Sequence, residues 1–161
     1  MSLIFAAREE ILKIVDQAML NFDEIPVEAW DQKTSADKWS KKELLGHLVD
    51  SASNNLRRMI IAQYEQGSKI VYDQEKWVEC QHYQTIDIQD VKLLWSALNR
   101  HLAHVIGHIP QSKLDNTCDT GSGKSEVHSV VYFIEDYLVH LNHHLNQIFS
   151  HFNYSQKLTS D

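Results

Sequence analysis

Ser40-Lys41-Lys42-Glu43-Leu44-Leu45-Gly46-His47-Leu48-Val49-Asp50 announces the start of a long helix. Ser followed three residues later by Glu is a capping box. The Ser40 hydroxyl can accept the Glu43 amide while the Glu43 carboxylate reaches back to the Ser40 amide. Leu44, Leu45, Leu48, Val49, Ala52, Leu56, Met59 and Ile60 then recur at helical spacing, and Gly67 supplies a stop. Working outward, the same period predicts a first helix from about Leu3 to Phe22. A third runs from near Asp87 to Ile109-Pro110, with Val91, Leu94, Trp95, Leu98, Leu102, Val105 and Ile106 inward. A fourth runs from about Ser125 to Phe152. Ser68 to Thr85 has no sustained period and reads as a long ordered loop with room for a short helix. Four long amphipathic helices predict an all-α fold, a four-helix bundle.

Composition agrees. A chain of 161 residues with 43% hydrophobic and 23% charged residues fits one globular domain. Five glycines and two prolines favour few long elements over many short strands. No apolar run nears the ~18 residues of a membrane span, so no membrane role is expected. Arg8, Glu9 and Glu10 break the pattern of a secretory leader. A net charge of −7 argues against nucleic acid as partner. Two cysteines, Cys80 and Cys118, suit a reducing, cytoplasmic setting.

The outlier is histidine, of which there are ten. Neutral imidazole is a common metal ligand, and two pairs stand four residues apart, one turn of one helix face: His104 with His108, and His140 with His144. On the third helix His101, His104 and His108 lie roughly 110° from the centre of a stripe read as Leu94, Leu98 and Leu102. They read as a solvated row. On the fourth, His144 borders the core beside Tyr137 and Ile148, and His140 lies further round near Phe133. His47, on the second helix, continues through polar Ser51, Asn54 and Arg58, which suits either a solvent-facing row or a polar cleft. Spacing alone does not choose between structural imidazoles and ligands. A ferritin-like di-iron site is excluded, because the only Glu-x-x-His, Glu79 to His82, falls in the loop.

Trp39 to Asp50, the loop from Tyr72 to Trp77, and Asp136-Tyr137-Leu138-Val139-His140 running on to His143-His144-Leu145-Asn146-Gln147-Ile148 together resemble the DinB/YfiT-like family. The resemblance implies a single bundle domain over residues 1–153 with a tail over 154–161, an up-down-down-up helix order, and a homodimer. It implies that His47, His140 and His144 bind a divalent metal, Zn²⁺ first, with Ni²⁺, Mn²⁺ or Fe²⁺ as alternatives. It further implies a metal-dependent enzyme acting on a small molecule, either a low-molecular-weight-thiol S-transferase or a hydrolase. The alternative is a non-catalytic dimeric bundle with a structural or vestigial metal site. Asp50, Asn54, Asp136 and Tyr137 are the polar neighbours available to orient the ligands, with Asp50, one turn from His47, the first choice.

Overall fold

In the computed structural model, which describes residues 3–150, five helices and three very short strands follow one another. They are α1 (Leu3–Phe22), α2 (Lys41–Tyr64), β1 (Ser68–Lys69), α3 (Gln74–Gln81), α4 (Ile88–Ile106), β2 (Thr117–Asp119), β3 (Val127–Ser129) and α5 (Val130–Phe149). The expected tail at 154–161 lies outside the described residues. Among those described, no helix is long and apolar enough to cross a membrane.

The capping box forms as read: Ser40 Oγ accepts from the Glu43 amide and the Glu43 carboxylate from the Ser40 amide. α1, α2, α4 and α5 make the bundle, with α2 packed on both α4 and α5 and α1 on the same two helices. Ile11, Val15, Phe22, Leu45, Leu48, Met59, Trp95, Leu102, Ile134 and Leu141 fill the centre. At one end the Lys41 ammonium donates to the Ile148 carbonyl at 2.6 Å, so the start of α2 lies against the finish of α5.

Two buried lysines tie loops to this end. Lys42 reaches the carbonyls of Gln84 and Ile86 and the Asp31 carboxylate, and Lys92 reaches the Phe22 carbonyl and Asp23. Buried ammonium groups need such partners, because an unpaired charge costs several kcal/mol.

The loop after Gly67 holds the short helix it had room for, α3, whose N-cap Asp73 accepts the amides of Glu75 and Lys76. Three expectations change. The last helix starts later than Ser125, because Val127–Ser129 pairs as β3 against β2. β1 pairs parallel with β2, placing Ser68 opposite Cys118, so a small sheet accompanies the helices. On α4 the buried arc runs through Ile88, Val91, Trp95, Leu102 and Ile106, whereas Leu94 is 48% exposed. The helix is turned from the stripe centre read in the sequence. His101, His104 and His108 nonetheless face solvent, as the wheel placed them.

Candidate metal centre

His47 sits two turns inside α2 and is only 1% exposed, flanked by Leu45, Gly46 and Leu48. α2 is covered by α4 on one side, α5 on another and α3 on a third, so its buried arc is wider than one apolar stripe. The polar line beyond His47 is therefore not a solvent-facing row: Ser51, Asn54 and Asn55 are buried and Arg58 is half-buried.

His140 and His144, one turn apart on α5, meet His47 across the seam. The Nε2 atoms of His47 and His140 are 3.1 Å apart, and ligand nitrogens of all three rings lie within 4.8 Å of one another. Two nitrogens bound at ~2.0 Å at a tetrahedral angle would be ~3.3 Å apart, so the His47–His140 spacing is compatible with a shared metal, and the three rings together could hold one.

The tautomers agree. His144 Nδ1 lies 2.7 Å from the Gln147 side-chain oxygen, to which it donates, and His140 Nδ1 lies 3.4 Å from the Ser51 hydroxyl. A proton held at Nδ1 of His144 leaves its Nε2 lone pair free to bind a cation, and the same tautomer at His140 would do so there. Trp39 packs over the His47 ring with centroids 5.0 Å apart. Gln147 was missed as a partner, although its place three residues from His144 on one helix face could have found it. Trp39 and the Ser51 contact depend on packing between distant segments and carried no such signal.

Burial, reinforced by the neighbouring rings, depresses the His47 pKa to about 3 and that of His140 to about 4; burial lowers that of His144 too. The rings are therefore neutral and ligand-competent at neutral pH. The sign for stability follows. The unfolded chain takes up protons on these imidazoles near pH 6.5, whereas the folded chain resists until about pH 4 and below. Unfolding binds protons in that window, so acid favours it. Metal-stripped protein is expected to show a urea midpoint that falls from pH 7 toward pH 4 and flattens near pH 3. A midpoint unchanged between pH 7 and 4 would contradict this assignment.

Asp50 is completely buried, and its partners come from the α3 region. One carboxylate oxygen accepts from Gln81 Nε2 at 2.6 Å and the Tyr83 hydroxyl at 2.7 Å. The other has no partner, and neither has His47 Nδ1. Burial raises the Asp50 pKa and pushes the Tyr83 phenol far above its ordinary value. The Tyr83 ring that carries this hydroxyl packs directly against Gly46. A Cβ there would stand 2.2 Å from a ring carbon. The other candidates serve elsewhere: Asn54 donates to the Asp50 carbonyl, Tyr137 bonds to Asn99, and Asp136 is exposed. Gln81 and Tyr83 were missed by sequence reasoning, for they lie in the stretch read as loop.

His144 opens onto a groove of about 930 Å³ between the Pro26–Lys41 connection, the end of α5 and the start of α3. A volume of that order accommodates a small organic ligand.

A helical bundle with three convergent imidazoles and an adjoining groove defines a class of candidate metalloproteins. The chain belongs to the DinB superfamily, whose family model matches residues 8–148. Among solved structures it is similar to YfiT from Bacillus subtilis, a probable metal-dependent hydrolase with an unusual four-helix bundle topology. The TM-score is 0.78 at 19% identity, over 93% of this chain and 87% of that one. The mycothiol-dependent maleylpyruvate isomerase matches with a TM-score of 0.67 at 10% identity, over 88% of this chain. A mutant of that isomerase matches at 0.68 and 9%. The chain spans about 60% of the isomerase's length. These likenesses establish the fold. No curated protein matches the sequence.

Proposed function

We propose that His47, His140 and His144 hold a divalent metal, Zn²⁺ first and Ni²⁺, Mn²⁺ or Fe²⁺ as alternatives, in an enzyme that transfers a low-molecular-weight thiol or hydrolyses a small substrate. The observation that carries the reading is the convergence of three neutral imidazoles beside a groove large enough for a substrate. Three protein ligands leave coordination open, the pattern of catalytic rather than closed sites. When bound, such a metal lowers the pKa of water toward ~7 or takes up a thiol as thiolate. The protein's part is to keep the three rings neutral, fix their tautomers through Gln147 and Ser51, and shield one side of the centre with Trp39. The names of the structural neighbours, a hydrolase and a thiol-dependent isomerase, support both chemistries. The same reading includes an up-down-down-up order, supported by the Lys41–Ile148 and Lys92–Phe22 contacts, and a cytoplasmic homodimer.

The test is S-conjugate formation between monobromobimane and a panel of thiols, alongside release from small esters and amides, with and without a chelator. Metal-dependent turnover in either assay supports the reading. Turnover in neither, with metal bound, would favour a non-catalytic bundle.

Asp50 is assigned to orient His47. The two do not bond to each other in this structure, but the free carboxylate oxygen and His47 Nδ1 are each buried without a partner and lie one turn apart on α2, so a small ring rotation on metal binding would let the carboxylate accept the Nδ1 proton. Removing such an orienting group typically costs 10–100-fold in metal affinity. Asp50→Asn, which keeps the shape, is expected to weaken Zn²⁺ binding by about tenfold or more. Unaltered affinity in competition with a chromophoric chelator would remove Asp50 from this role.

A further inference from the structure

We propose that the groove beside His144 is an acid-recognition site, in which Lys41 and Lys38 take the carboxylate end of a small substrate whose reactive group sits at the three histidines. This rests on the metal-centre reading and adds the substrate class to it.

The cavity of about 930 Å³ is bordered by His144 and by three lysines, in a chain whose net charge is −7. The lysines differ in what already engages them. Lys33 pairs with Glu43 at 2.9 Å and is spoken for. Lys41 is half-buried, and its ammonium donates to a neutral acceptor, the Ile148 carbonyl, leaving two N–H donors for another group. Among the described residues neither Lys38 nor Lys41 forms an ion pair within 4.0 Å. Two carboxylates also border the groove. Asp37 accepts the Ser35 hydroxyl at 2.6 Å and feels the charge of neighbouring Lys38 without forming an ion pair with it, so Lys38 is the weaker of the two anchors; Glu75 lies exposed in the first turn of α3. A half-buried ammonium facing a cavity without a carboxylate partner is a charge partly stripped of water. A ligand carboxylate restores that lost interaction with a charge-assisted hydrogen bond, which is the strong kind. Trp39 borders both the groove and the His47 ring, so it offers an apolar wall between the acid-binding end and the metal end.

Two arms separate this proposal from the metal reading. In metal-free protein, succinate is titrated while the Trp39 indole N–H signal is followed by NMR, with Trp39→Phe fixing the assignment. Succinate is expected to shift that signal saturably and uncharged dimethyl succinate to leave it still. Lys41→Met should weaken binding by about tenfold. Lys38→Met, an exposed change that disturbs no packing, should weaken it severalfold. Equal response to both compounds, or succinate binding unchanged in both variants, overturns the acid site. In Co²⁺-loaded protein the thiolate-to-cobalt absorption band is read with mercaptosuccinate and with 2-mercaptoethanol. Mercaptosuccinate is expected to bind more tightly, with an advantage that Lys41→Met removes while 2-mercaptoethanol is unaffected. Equal affinities for the two thiols also count against the acid site. No band with either thiol, together with a saturable succinate shift, sinks the thiol reading and leaves the acid site standing.

Discussion

His47→Ala is expected to abolish the stabilisation that added Zn²⁺ gives the wild-type protein. A ligand that binds only the folded state contributes about 2.7 kcal/mol at a hundredfold excess over Kd. For a chain of this size that is a rise in Tm of roughly 5–10 °C. His47 is the one candidate ligand of the three that comes from α2; without it His140 and His144 remain an isolated pair on α5. Affinity should drop by at least about 100-fold, since losing a ligand costs more than losing a group that orients one. Thermal melts at matched Zn²⁺ concentrations read this directly. The variant should also show a shallower loss of stability in acid, because the imidazole with the most depressed pKa is gone. A Tm rise in His47→Ala equal to that of the wild type would mean the cation binds elsewhere, and the exposed His104–His108 pair would be the next place to look.

Gly46→Ala is expected to be among the most destabilising single changes in α2, although helix propensity alone predicts a gain of about 1 kcal/mol. Packing decides the sign. The added methyl would stand 2.2 to 2.5 Å from three carbons of the Tyr83 ring, which is itself buried. The ring must move, and its hydroxyl then leaves the Asp50 carboxylate it meets at 2.7 Å. Overpacking costs roughly 1–3 kcal/mol, and losing one of the two hydrogen bonds to a buried carboxylate, with only Gln81 left on it, about 1.5–3 more. The net loss should be about 2–4 kcal/mol, or a fall in Tm of roughly 5–15 °C. Tyr83→Phe separates the two parts, because it removes only the hydrogen bond. A Gly46→Ala variant as stable as the wild type would show that the α3 region yields to α2 at little cost.

What the sequence made legible is what local chemistry dictates. The Ser40 capping box needs only four consecutive residues, and it forms. The solvated row at His101, His104 and His108 follows from one helix's own period, and it survives even though the buried arc of α4 was misjudged. The error arose because Leu94 and Leu98 are good hydrophobes left at the margin, while Asn99 is buried through hydrogen bonds to Trp95 and Tyr137. Hydrophobicity alone cannot foresee that a polar residue will be satisfied inside. β1, β2 and β3 were illegible because two- or three-residue strands carry no period and owe their existence to partners elsewhere in the chain. His47 was ambiguous for a related reason. Its burial depends on three helices covering α2, and no single helical wheel contains them.

The separation of the ligands along the chain has a consequence for folding order. His47 and His140 are 93 residues apart, and loop closure over that length costs an unfolded chain roughly 4 kcal/mol in entropy, beyond a constant. Neighbouring His140 and His144 need only one helical turn to come together. The three-ring centre therefore exists only once α2 and α5 have docked, later than the helical turn that pairs His140 with His144. Cobalt absorbance developing during refolding would act as a clock for that docking, and is expected to lag behind the helical signal.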